Sequence, residues 1–204
     1  MIRDNALVAS GLLAEQVGGP SVKPYQPPGL WIEKGNFSAA LLHYKQDSGD
    51  SLYRRSLYTF IRRTSPPPSM TVFDAPDRTT CFVQRQNTNT PAQALVLLND
   101  PTYVEAARVL AERIQREGGT DLTGQIVLGF RLSTGRRPSE EEVALLVDLY
   151  EEEAVRYGSS LADVDSLFSV GEYLADTRLE PVRTAALAMV ASVMLNHDEV
   201  YTKR

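Results

Sequence analysis

Residues 90–119 read TPAQALVLLNDPTYVEAARVLAERIQREGG and contain two consecutive helix starts. In each start a short polar residue precedes a proline, the order favoured at an N-cap and at the first helical position. The first start, at Thr90, predicts a short helix over residues 92–98. The second predicts a longer helix from Asp100 to about Glu117, where two glycines end it. This stretch therefore predicts a fold built from helices.

The same signals continue toward the C-terminus. Ser139 and Glu142, three residues apart, have the spacing of a capping box, and Gly135 is placed to end the helix before them. Apolar residues recur at helical spacing through most of the remaining chain. The predicted helices cover about 121–133, with Asp121 or Thr123 as the opening residue, and 139–157, 161–168 and 180–195. We therefore expect an all-α fold of about five to seven helices.

The N-terminal part is less regular. Apolar spacing predicts a helix over residues 2–16, but residues 18–36 contain four prolines and four glycines and should form an extended arm. A further helix is predicted over residues 51–63, and the long connection over residues 65–90 is expected to be an ordered loop. We predict one domain over residues 1–204. Its N-terminal helix and arm occupy residues 1–50, and its helical core occupies residues 51–204.

Composition excludes several classes of function. The chain has 21 basic and 26 acidic residues, and the net charge of −5 argues against general nucleic-acid binding. It has no apolar run of about 18 residues that would span a membrane. The single cysteine, Cys81, is expected to be a half-buried structural thiol, and it allows neither an intrachain disulfide nor a thiolate zinc site. His43 and His197 are too far apart to form a metal-binding motif, so we expect no metal and no cofactor in this chain.

Several long motifs occur together in one order and cover nearly the whole chain. They are Gly18–Ser21, Tyr53–Phe60, Ser65–Ser69, Phe73–Arg78, Arg85–Leu95, Leu97–Pro101 and Phe130–Gly135. In these motifs the chain resembles the C-terminal domain of unknown function in planctomycete secreted proteins that often carry a cytochrome c-like domain. The resemblance implies an exported or periplasmic protein, but it carries no settled activity.

The front of the chain departs from that family. Such proteins usually begin with a signal peptide, a haem domain and another uncharacterised domain. Here Asp4 interrupts a short apolar stretch that has no basic leader, so the start is not a signal peptide. The chain therefore resembles a fragment or a truncated product that would stay cytoplasmic if expressed alone. The expected partner is the upstream domain or a neighbouring protein of the same system.

The polar segment before residue 91 contains one candidate binding site. Asn87, Asn89 and Gln93 both donate and accept hydrogen bonds in a dense cluster with threonines and with the donor Arg85, as needed to bind the hydroxyls of a sugar. Such residues also satisfy backbone groups in a long loop and cap the helix that follows. The sequence favours this local role over carbohydrate binding.

A second candidate combines carboxylates with arginines. Asp74 and Asp77 beside Arg78 could form a glycosidase-like acid–base pair or a cation site. Arg55 and Arg62 are seven residues apart on the predicted helix and share a face, from which they could bind the two aspartates or an anionic ligand. A structural clamp that holds the 65–90 loop is the favoured interpretation of all five residues.

Two functions of different classes remain. The favoured one is a non-catalytic interaction domain, because the sequence has no Ser/His/Asp order, P-loop or dinucleotide-binding motif. Its expected sign is an exposed apolar patch near residues 1–36. The alternative is a carbohydrate-binding or carbohydrate-active domain with a cleft between the 65–90 loop and the arginine-bearing helix.

Overall fold

The computed structural model describes residues 1–33, 43–76, 78–81, 83–84, 86 and 88–202. Within these residues it contains ten α-helices, seven of them eight residues or longer, and no β-strand. The all-α prediction is confirmed. The helices are α1 Ile2–Ser10, α2 Leu30–Glu33, α3 Pro68–Val72, α4 Pro91–Asn99, α5 Pro101–Glu117, α6 Leu122–Thr134, α7 Glu140–Ser159, α8 Leu161–Phe168, α9 Pro181–Leu195 and α10 Asp198–Tyr201.

The chain forms two compact units. The first, the helical unit, contains Met1–Leu13 and Leu97–Arg204, and the second, the arm unit, contains Ala14–Val96. In the helical unit the most extensive contact joins α5 and α9. Both helices bury several alanines, whose small side chains allow close approach of the helix axes. Leu110 and Leu187 are fully buried, and each contributes roughly 1.5–3 kcal/mol of hydrophobic stabilisation.

Four of the predicted helix starts are confirmed by side-chain caps. Asp100 accepts a hydrogen bond from the backbone N–H of Thr102 at 2.9 Å, and Asp121 accepts one from Gly124 at 2.9 Å. The Glu180 carboxylate accepts from two N–H groups at the start of α9. Ser139 and Glu142 form the predicted capping box of α7. These caps satisfy backbone donors that a helix start leaves without intrahelical partners.

The helix predicted over residues 51–63 is wrong. The segment contains two short 3₁₀ helices, Gly49–Tyr53 and Ser56–Tyr58, joined by extended backbone. The reason is that its backbone pairs with the N-terminal arm: Val22 donates to Tyr58 O at 2.8 Å and accepts from Phe60 N at 2.8 Å. These hydrogen bonds use backbone N–H and C=O groups that would otherwise form the hydrogen bonds of a helix.

Arg54 shows why the arm and this segment fold together. Its side chain is buried, and its guanidinium donates to the carbonyls of Gln16, Gly18 and Pro20 and lies 3.9 Å from the Tyr58 ring centroid. The glycine-rich turn of the arm thus wraps around one arginine.

The helix predicted over residues 2–16 is shorter than expected. α1 ends at Ser10 because Gly11 adopts a left-handed conformation with φ of 85°. The backbone then leaves the helix, and Ala14 pairs with Tyr53 in the arm unit. A glycine in this conformation is the usual helix stop.

The start of α7 predicts a specific pH dependence of stability. Arg136 donates to both Glu142 oxygens at 2.6 and 2.8 Å, and these bonds lower the pKa of Glu142 from 4.5 to about 2. A lowered pKa means that the stabilisation is complete above pH 4.5 and is lost as the pH falls toward 2. In Glu142→Gln the amide keeps the capping geometry but removes the titration, so urea unfolding should show a smaller loss of stability across this range. Equal pH slopes for the variant and wild type would contradict this assignment.

Candidate functional site

Asp74 forms hydrogen bonds within the polar segment of the arm unit. Its carboxylate accepts hydrogen bonds from Thr88 N at 2.9 Å and Thr88 Oγ1 at 2.8 Å. These bonds lower the pKa of Asp74, and the residue adopts a φ of 56°, which non-glycine residues seldom adopt. No ion pair joins Asp74 to a basic residue within the described part of the chain. Asp74 is therefore held by Thr88, fourteen residues further along the chain.

Gln93, on α4, forms three hydrogen bonds with the same part of the arm unit. Its amide nitrogen donates to Val72 O at 2.9 Å and to Thr88 Oγ1 at 3.2 Å, and its amide oxygen accepts from Thr90 N at 3.3 Å. The side chain is buried. Among the predicted site residues, the structure thus connects Asp74 and Gln93 through Thr88, and both serve the loop itself.

The other predicted site residues have different positions. Arg62 donates to Trp31 O at 3.2 Å, Arg55 is exposed, and Arg78 is exposed with a φ of 61°. Asn89 is exposed beside Thr88. The remaining three, Asp77, Arg85 and Asn87, lie outside the described residues.

Trp31 lies in a buried aromatic cluster of the arm unit. It is 2% exposed, packs edge-on against Tyr44 with ring centroids 5.1 Å apart, and lies 5.7 Å from Phe60. Lys23 and Arg62 approach its ring as cations at 5.8 and 5.3 Å. Such contacts stabilise a small aromatic cluster without a ligand.

A groove of about 590 Å³ lies in the helical unit between α1, the end of α6 and α10. Its apolar lining comes from Val8, Leu132 and Val200, and Val8 is 54% exposed. Asn5 donates to Val200 O at 2.9 Å and so ties α10 to α1. Polar side chains of Asn5, Ser133, Thr134, Glu199 and Thr202 form the rest of the lining.

Polar contacts hold the α10 wall of this groove. Arg136 donates to Glu199 at 2.6 Å, and the N–H of Glu199 donates to His197 Nδ1 at 3.3 Å. His197 also packs edge-on against Phe130 with ring centroids 5.7 Å apart. A four-residue helix has little stability of its own, so these contacts position its Val200 side chain.

The helical unit also contains a buried ionic network on α5. Glu105, Arg108 and Glu112 are 0%, 0% and 1% exposed. Arg108 donates to Glu112 at 2.6 Å and to the carbonyl of Tyr173 at 2.5 Å, while Glu105 accepts from Tyr173 N at 2.8 Å. The network therefore fixes the backbone of the loop before α9.

Two further contacts hold this loop. Arg116 lies 3.4 Å from Asp176, and hydrogen bonds from Arg178 hold the pKa of Asp176 well below its usual range. Gly171, with φ of 86°, passes so close to Glu105 that a Cβ would lie 2.7 Å from its Cγ. The fixed loop presents Leu174, which is 88% exposed.

Sequence reasoning missed this network. Its signal is the spacing of Glu105, Arg108 and Glu112, which puts three charges on one helix face. Charges at such spacing usually mark a solvated face. Only the packing of the Gly171–Asp176 loop shows that they are buried.

Two features are absent from the described residues. They contain no group of three or more histidine, cysteine, aspartate and glutamate side chains that could hold a metal ion, and no helix long and apolar enough to cross a membrane. Cys81 is exposed, not half-buried as expected, because it lies in the polar segment and away from the apolar core.

Comparison with known proteins gives one match. A family model described as "PSD1: Protein of unknown function (DUF1553)" matches residues 1–150. No curated protein and no solved structure matches the chain.

Proposed function

We propose that this chain, which belongs to the PSD1 family of proteins of unknown function (DUF1553), is a non-catalytic interaction domain. Its motifs resemble those of planctomycete secreted proteins, so we place it in a larger exported or periplasmic protein associated with a cytochrome c-like domain. Its partner is the upstream domain of that protein or a neighbouring protein of the same system.

The groove beside α1 carries this proposal. It exposes an apolar side chain, Val8, next to Leu132 and Val200, and its walls are held by hydrogen bonds of Asn5 and Glu199. A preformed concave surface with both apolar and polar side chains binds a partner segment without a large ordering cost. It also lies on α1, within the N-terminal region that the sequence singles out for docking.

The polar segment also favours a non-catalytic role. One carboxylate oxygen of Asp74 accepts both bonds from Thr88, and the Gln93 amide bonds to Val72 O, Thr88 and Thr90. These bonds, which include the backbone N–H of Thr88 and the carbonyl of Val72, give both side chains a role in holding their own segment.

Val8→Arg should abolish partner binding while leaving the fold intact. The tagged chain is co-expressed with the proteins encoded by neighbouring genes, and the retained proteins are quantified after affinity purification. A charged side chain in the groove would remain desolvated and unpaired on binding, which costs enough to weaken binding by about tenfold or more. Because Val8 is 54% exposed, the melting temperature should change little.

Leu161→Arg is the matched control. Leu161 is 65% exposed on α8, so the same charge is added to the same helical unit outside the groove. Retention of the partner by the Leu161 variant but not by the Val8 variant supports the proposal. Equal retention by both variants would contradict it.

The carbohydrate alternative rests on Thr88 and Asn89, which are both exposed beside Asp74. Exposed hydroxyl and amide groups next to a carboxylate are suited to sugar hydroxyls. Calorimetric titration with polysaccharide fragments tests this alternative. Binding that Asn89→Ala weakens would favour carbohydrate binding over the interaction role.

A further inference from the structure

The outer face of α7 carries acidic and apolar side chains together. Glu141, Leu145, Asp148, Glu152 and Val155 follow each other at spacings of four and three residues, which places them in one stripe along the helix. Leu145 is 69% exposed and Val155 is 76% exposed. We call these five residues the α7 stripe. The stripe thus combines three acidic side chains with two exposed apolar ones.

The carboxylates of the stripe have no basic partner within the part of the chain that the structure describes. Glu141, Asp148 and Glu152 form no ion pair with any described residue. The nearest basic residue along the helix, Arg156, is taken by Glu153 at 2.8 Å and lies 4.5 Å from the Tyr157 ring centroid. The stripe therefore presents three free negative charges, in a chain whose whole net charge is −5.

The charge arrangement costs the isolated helix some stability. Asp148 and Glu152 are four residues apart, and like charges at this spacing repel each other on a helix surface. A cationic partner would remove this repulsion, and an apolar side chain on it would cover Leu145 and Val155. The same partner thus relieves both unfavourable features.

We propose that the α7 stripe binds a basic amphipathic helix of a partner protein. Lysine or arginine side chains would pair with the three carboxylates, and leucine-like side chains would pack on Leu145 and Val155. The inference rests on the proposed role as an interaction domain and names the chemistry of its partner. It uses a surface different from the groove, so the two can fail separately.

The test uses a synthetic helical peptide of lysine and leucine. A peptide of about 20 residues matches α7, which is roughly 30 Å long. Its affinity for the full chain is measured by calorimetry at low and at physiological salt. The wild-type chain should bind it, and both Asp148→Asn/Glu152→Gln and Leu145→Ser/Val155→Ser should weaken binding about fivefold, as expected for the loss of two exposed contacts.

Two controls separate the stripe from general attraction. Asp163→Asn/Asp165→Asn removes the same charge from exposed positions on α8, and Leu161→Ser removes an exposed apolar side chain there. Both should bind the peptide as wild type does. No binding by wild type, or equal weakening by controls and stripe variants, would overturn the inference. If the stripe variants still retain the partner that Val8→Arg loses, the inference fails and the proposed function stands.

A second readout comes from stability. Asp148→Asn/Glu152→Gln should melt at a temperature equal to or above that of wild type, because a repulsion is removed. A clear decrease would show that these carboxylates stabilise the domain itself and would contradict a binding role.

Discussion

Gly171→Ala should lower the free energy of unfolding by roughly 3–5 kcal/mol, because the new methyl group enters the space of a buried charged side chain. A Cβ at this position would overlap Cδ and Oε1 of Glu105 and lie 2.7 Å from its Cγ. Glu105 is fully buried and accepts a hydrogen bond from Tyr173 N at 2.8 Å, so it cannot move without breaking that bond. Urea unfolding of the purified chain measures the effect.

Gly135→Ala is a close control. Gly135 has a φ of 85°, against 86° for Gly171, and a Cβ there would meet nothing within 4 Å. The control therefore bears only the cost of a left-handed alanine, about 1–2 kcal/mol. If the two variants lose the same stability, Gly171 is needed only for its backbone conformation and the close packing on Glu105 is not important.

Arg108→Met should have the second largest effect, also roughly 3–5 kcal/mol, since it removes the nearest cation of the buried Glu112 carboxylate and leaves only Arg116 among the described residues, at 3.8 Å. Arg108 is 0% exposed and donates to Glu112 at 2.6 Å and to Tyr173 O at 2.5 Å. Methionine fills much of the volume but supplies neither charge nor hydrogen bonds. The variant should unfold at lower urea concentration, and amide exchange in residues 171–176 should become faster, because those residues lose their anchor.

Arg156→Met provides the comparison for an exposed ion pair. Arg156 lies 2.8 Å from Glu153, but its side chain is 51% exposed. Water and salt screen such a pair, and its loss should cost less than about 1 kcal/mol. Similar losses in the two variants would mean that the network on α5 is not desolvated as its burial indicates.

Much of the helical fold could be predicted because its signals are local. Asp100, Asp121 and Ser139 are capping residues whose role depends only on the next three residues, and all three predicted helix starts are confirmed. Gly135 ends α6 as predicted, for the same reason. Local backbone chemistry, set by adjacent residues, is what a sequence expresses most directly.

The segment over residues 51–63 could not be predicted because its partners are far away in sequence. Its apolar spacing is helical, but Phe60 and Tyr58 pair with Val22, and Arg54 is enclosed by the glycine-rich turn. Long-range pairing overrides local propensity here. Nothing within residues 51–63 signals that the arm would fold against them.

The candidate sites also combine residues that can be found from the sequence with contacts that join distant parts of the chain. Asp74 and Gln93 were found from composition, but their shared partner Thr88 appears only in three dimensions. The groove joins α1 to α10, whose residues Asn5 and Val200 are separated by almost the whole chain. Such a surface has no pattern in the sequence.

The most direct test of the interaction role is the amount of partner retained by the tagged chain after co-expression with neighbouring gene products. The account predicts that wild type, Leu161→Arg and Asn89→Ala retain the same protein, and that Val8→Arg loses about nine-tenths of it, a tenfold loss of affinity. Retention by Val8→Arg equal to wild type would contradict the account, as would loss of the partner in Asn89→Ala.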